Sequence, residues 1–166
     1  NSIGDQGAAN LASALAKVTL LETLRLEANN IGNEGMANLA RAFENQICLI
    51  TFYPYSKNIS NICRRNNIIR KAIAQAIGSN ERTVDPGDIL NINYLRAALG
   101  QLAGTQEEIA EARRAIEFNI NRLEAEQRFA QAMHQLPENL GATRRNEASL
   151  EGDFNQEFTA LLRSNP

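Results

Sequence analysis

Hydrophobic and polar positions alternate in two rhythms along this chain. Leu24 and Leu26 alternate with Thr23, Arg25 and Glu27, the period-two pattern of a short strand with leucines inward and polar side chains outward. Phe52 and Pro54 alternate in the same way with Thr51, Tyr53 and Tyr55. Strands are therefore expected at 23–27 and 50–55. Around them the period changes to that of a helix. Leu11, Ala14 and Leu15 predict a helix within residues 1–16, and Leu39, Ala40 and Phe43 predict one over about 33–44. Ile59, Ile62, Ile69, Ala72, Ile73, Ala76 and Ile77 share one stripe that Gly78 should end. Arg64, Arg65, Arg70 and Lys71 are assigned to its outer, solvated face.

Residues 79–87, rich in turn formers, read as a linker. Leu95, Ala98, Leu99 and Leu102 predict a helix from about 87 to 103, stopped by Gly104. Thr105 and Glu108 have the spacing of a capping box, which opens a long helix running to Leu136, before Pro137. That helix is apolar on two sides, with Ile109, Ala112, Ile116, Ile120, Leu123 and Ala130 on one and Phe118, Ala125, Phe129, Ala132 and Leu136 on the other. A helix of this kind sits between two partners. The 87–103 helix is expected to cover one stripe, and a last helix over about 154–163, carrying Phe154, Phe158, Leu161 and Leu162, the other.

An internal repeat links the first two rhythms. Asn1, Ile3, Gly4, Gly7, Leu11, Ala12 and Ala14 recur as Asn29, Ile31, Gly32, Gly35, Leu39, Ala40 and Ala42, all at an offset of 28 residues. A constant spacing over so many identities is the mark of a repeated structural unit. The same offset places Leu24 beside Phe52 and Arg25 beside Tyr53 if the strands pair in parallel. Pro54 has no N–H for a ladder, which makes 50–55 the last strand of its sheet. Lys57 stands where the repeat requires Asn29.

The run Leu21-x-x-Leu24-x-Leu26-x-x-Asn29-x-Ile31, followed by Gly32, Gly35, Leu39 and Ala40, resembles leucine-rich repeats of the ribonuclease-inhibitor subtype. The resemblance covers about residues 1–59. It implies a curved parallel sheet whose concave face binds proteins, as in nuclease inhibitors, GTPase activators, innate immune receptors and bacterial effectors delivered into host cells. The expected fold is thus α/β: a short leucine-rich-repeat solenoid with parallel strands and outer helices (1–78, closed by a capping helix), the linker 79–87, and an all-α helical bundle extension at 88–166. The chain opens inside a repeat and without an initiator Met, which reads as a fragment or processed product.

Composition narrows the function. A net charge of −2 over 166 residues, with acids interspersed among the arginines, argues against a nucleic-acid partner. No apolar run is long enough for a membrane span. Cys48 and Cys63 read as core-facing thiols of a reducing compartment. His134, the one histidine, has no nucleophile or carboxylate at telling spacing, and Glu107, Glu108 and Glu111 suit a helix N-terminus. No catalytic residue, metal site or cofactor motif is found, and the chain reads as a non-enzyme.

One surface stands out. Thr23, Arg25, Glu27, Thr51, Tyr53 and Tyr55 project from the outward face of the strands. Arg and Tyr bury large areas at low entropic cost and anchor many interfaces. The expected partner is a protein held on this face. The alternatives are oligomerisation or docking through the helical extension, and an effector fragment whose catalytic part lies upstream. The expected location is the cytoplasm, or the host cytosol for a secreted bacterial effector.

Overall fold

The computed structural model describes residues 2–135. They fall into two units, one running to Glu126 and one from Gln127. The element order is α1 (Gly4–Leu15), β1 (Thr23–Arg25), α2 (Asn33–Phe43), β2 (Thr51–Tyr53), α3 (Lys57–Ile77), α4 (Pro86–Ile89), α5 (Ile92–Ala98) and α6 (Gln106–Gln135). The expected last helix at 154–163 lies outside the described residues.

The repeat produces the pairing that its offset predicts. β1 and β2 are parallel, with Thr23 opposite Thr51, Leu24 opposite Phe52 and Arg25 opposite Tyr53. Leu24, Leu26 and Phe52 face inward against α1 and α2, in a cluster centred on Ala8, Ala12, Leu15, Leu39, Phe43, Leu49 and Ile59. Phe43 packs on Phe52 with ring centroids 6.2 Å apart and planes tilted by 59°. Small residues let α1 and α2 approach closely. The Asp5 carboxylate accepts from the backbone N–H of Gly32 (2.6 Å) and of Gly35 (3.2 Å), satisfying free donors at the start of α2. A Cβ on Gly35 would lie 2.6 Å from Ile31 Cγ2 and 2.7 Å from Asp5 Oδ1. Gly35→Ala is expected to lower stability by about 2 kcal/mol, since overpacking forces this seam apart; chemical denaturation of the variant checks it.

The solenoid expectation is corrected. The described chain is mostly helical, and its sheet stops at two strands. A solenoid buries its faces by stacking at least three or so equivalent coils, and here the unit repeats only once. Where a third strand–helix unit would follow, the chain forms the 21-residue helix α3. α3 keeps the expected polar outer side, with Asn61, Arg64, Asn67, Lys71 and Gln75 exposed, but its inner side does more than close a stack of coils. Its N-terminal half gives Ile59 and Cys63 to the strand-side cluster. Its C-terminal half gives Ile69, Ala72, Ile73 and Ala74 to a second cluster with Val84, Ile89, Leu95, Ala98, Ala112, Ala115, Ile116 and Ile120. One helix therefore belongs to both cores. The Asn29 amide bonds within its own turn, to the carbonyls of Leu26 (3.1 Å) and Glu27 (3.0 Å), and forms no ladder between coils.

Polar side chains join α3 to the segments around it. Arg65 and Arg70, assigned to a solvated face by the pattern, turn inward instead. The Arg65 guanidinium donates to the carbonyls of Glu44 (2.7 Å) and Gln46 (2.7 Å) and to Asn66 Oδ1. Asn66, fully buried, donates to the Leu49 carbonyl at 2.7 Å. Arg70 bonds Glu22, the Glu81 carbonyl (3.0 Å) and the Val84 carbonyl. The stretch 79–87 is thereby tied to α3, and Val84 is buried. Asn119 on α6 donates to the Asn45 carbonyl at 2.9 Å, securing α6 to the α2–β2 connection.

The expected helix over 87–103 is two helices. Asp85 and Asp88 form a capping box that starts α4, with Pro86 at its first position. The Asn91 side chain then accepts from the N–H of Asn93 (3.0 Å) and Tyr94 (3.4 Å), starting α5 anew. Leu95 and Ala98 of α5 lie in one buried cluster with Ala112, Ile116 and Ile120 of α6. Gly78 ends α3 with φ of 68°, and the Thr105–Glu108 capping box forms. Its bonds to Thr105 hold the Glu108 carboxyl below its ordinary range.

Candidate protein-interaction surface

The exposed face of β1 and β2 follows from strand geometry. Side chains alternate across a strand, so inward Leu24, Leu26 and Phe52 fix Thr23, Arg25, Thr51 and Tyr53 on the other side. Parallel register then sets Arg25 next to Tyr53. The Arg25 guanidinium carbon lies 5.0 Å from the Tyr53 ring centroid, within cation–π range. The pair orders an arginine that would otherwise sample many rotamers. Tyr53 is 44% exposed and Tyr55 81% exposed. Thr23, Arg25 and Glu27 are exposed and Thr51 is half-buried. The structure thus gathers all six predicted positions in and beside the strand pair, and no described helix covers the two tyrosines. The base beneath is stiff, being a sheet packed on Phe43 and Leu39, both at 0% exposure.

Beyond this face the predicted chemistry is spare. Cys48 and Cys63 are free and buried. Burial, with Glu22 nearby, pushes the Cys48 thiol up to about 11, and burial also raises Cys63. A thiol held neutral in the fold stabilises it fully below the unfolded pKa near 9, and that contribution is lost between about pH 9 and about pH 11. The stability difference between wild type and Cys48→Ala is therefore expected to shrink across that window, by about 1.4 kcal/mol per pH unit, as denaturant titrations at stepped pH will show. Glu107 is exposed, Glu111 half-buried and His134 exposed. Among the described residues no cluster of three or more His, Cys, Asp or Glu could hold a metal ion, and no helix is long and apolar enough to cross a membrane.

Two exposed apolar residues escaped the sequence pattern. Val18 and Leu20, in the turn before β1, are 44% and 53% exposed. Their repeat counterparts Gln46 and Cys48 are buried, a difference that only the structure shows. Comparison with known proteins adds nothing to this geometry: no protein-family model, curated protein or solved structure matches the chain.

Proposed function

We propose that this chain is a non-enzymatic protein-interaction module that holds a partner protein on the exposed face of β1 and β2. The observation that carries the reading is the ordered Arg25–Tyr53 pair beside the exposed Tyr55. Arginine and tyrosine are the side chains most enriched among interface hot spots. Here the arginine is already stacked, so less side-chain freedom is lost on binding. Glu27 and the two threonines supply hydrogen-bonding groups at the margin. The leucine-rich-repeat resemblance of the two units supports the same reading, since such repeats offer this strand face to partners. The buried, unpaired thiols suit a reducing compartment such as the cytoplasm.

The test is affinity capture with the full chain and with an Arg25→Ala/Tyr53→Ala/Tyr55→Ala variant matched for thermal stability. A partner retained by wild type is expected to be lost from the variant, with affinity lowered by at least about 2 kcal/mol. Equal retention by both removes the strand face as the binding surface.

A further inference from the structure

Arg25 is held on one side only. Its guanidinium carbon lies 5.0 Å from the centroid of the Tyr53 ring, so one flat face of the cation is occupied. Its N–H donors lie in the guanidinium plane and point along its edge, where the ring offers them no acceptor. Among the described residues no carboxylate lies within ion-pair range of Arg25. Arg65, Arg70 and Arg96, by contrast, are answered from within the fold. Arg65 meets two carbonyls and Asn66, Arg70 meets Glu22 and two carbonyls, and Arg96 meets Glu124. Arg25 alone of these four combines a fixed orientation on a ring with an unused fork of donors.

The charges around that fork favour an acid. Glu22, the acid just before β1, is already paired with Arg70. Tyr53, beside Arg25 in the strand register, and Tyr55 beyond it are exposed and uncharged. Lys57, two residues further along, is exposed and makes no ion pair with a described residue. Unpaired cations thus stand at both ends of the Tyr53–Tyr55 stretch. Glu27 is the unpaired acid of the face. It sits in the turn after β1, two residues past Arg25, and repels an acidic group on its own side. An incoming acid is therefore steered to the β2 side of Arg25, over the tyrosines.

We infer that the partner protein contributes an acidic segment, one Asp or Glu carboxylate of which is gripped bidentately by Arg25 beside Tyr53. The inference rests on the strand face being the binding surface, as proposed above. A carboxylate matches the guanidinium fork with two parallel N–H···O bonds, a geometry that adds specificity as well as strength. Tyr53 holds the fork in place beforehand and shields one side of the contact from water. The two tyrosines supply rigid, amphipathic area for the residues that flank the acid. A phosphate also fits the fork. A nucleic acid, however, is held by many cations at once, whereas this face offers two, in a chain of net charge −2.

The test is selection of short random peptides, displayed on phage, against the full 166-residue chain. Only peptides that fail to bind an Arg25→Ala/Tyr53→Ala/Tyr55→Ala variant of matched thermal stability are kept. Synthetic copies are then titrated by fluorescence polarisation with wild type, Arg25→Gln, Arg25→Lys and Glu27→Gln. The kept peptides should share an Asp or Glu. Arg25→Gln should weaken them by about tenfold or more, and Arg25→Lys should recover only part of that, because lysine lacks the fork. Glu27→Gln, which removes a repelling charge, should tighten them. Kept peptides without a shared acid, or acidic ones insensitive to Arg25→Gln, overturn the acidic assignment and leave the face as a binding surface. Equal losses from Arg25→Gln and Glu27→Gln overturn it too, since they report a disturbed strand and not a lost contact. Displacement of the peptides by an equal concentration of an oligothymidylate strand overturns the choice of carboxylate over phosphate. If no peptide is kept at all, the strand face itself falls, and the acidic partner with it.

Discussion

Arg65→Met is expected to remove about 3–4 kcal/mol of stability, the largest loss of any single α3 substitution that preserves side-chain length and apolar contact. The guanidinium is not merely a charge near a surface. It donates to the carbonyls of Glu44 and Gln46, each at 2.7 Å, and through Nε to Asn66 Oδ1 at 3.0 Å. Those carbonyls belong to the connection between α2 and β2; the bond to Glu44 is exposed and the one to Gln46 part-buried. Each polar group left buried without a partner costs about 1–3 kcal/mol. Asn66 is itself buried and carries the bond to Leu49 O, so losing Arg65 also loosens the residue that holds the start of β2. Burial lowers the Arg65 pKa to about 10, which leaves it charged at neutral pH. Urea titration at neutral pH measures the loss. A decrease within about 0.5 kcal/mol, the scale of an ordinary surface substitution, would show that Arg65 is solvated after all.

The second large effect is Phe43→Ala, expected to destabilise by about 3–5 kcal/mol through lost transfer energy and the cavity left behind. Phe43 is fully buried between α1, α2 and the sheet, and its ring supports Phe52 directly. Phe52 is the residue whose inward placement turns Tyr53 outward. A cavity at this point should therefore weaken partner capture as well as stability, although Phe43 itself touches no exposed side chain. The measurement pairs thermal unfolding with capture below the variant's melting range. Loss of stability with unchanged capture would mean that the strand face does not depend on the core beneath it.

The parts of the fold legible in the sequence were those set by local periodicity and by the repeat. Seven identities at one offset placed Leu24 beside Phe52 and Arg25 beside Tyr53, and strand alternation then specified the exposed face. Gly78 and Thr105 marked helix boundaries because their chemistry is local. What the repeat could not show was its own end. Two units imply a stack, yet Lys57 in place of Asn29 opens a long helix whose second half packs against α5 and α6. Periodicity assigned Arg65 and Arg70 to solvent because charged helix positions usually lie there. Their carbonyl partners come from connections at Glu44, Gln46, Glu81 and Val84, and no helical pattern encodes such demands. The break between α4 and α5 was readable in principle, since Asp85-Pro86 and Asn91 are both helix-start signals, but the leucine stripe across 95–102 obscured it.

The most direct measurement is an amide hydrogen-exchange footprint of the captured complex against the free chain at equal concentration. Protection is expected in segments 22–27 and 50–55, with the exposed sides of α3 and α6 unchanged. Protection on α6 with unaltered exchange in both strand segments would contradict a partner seated over Arg25, Tyr53 and Tyr55.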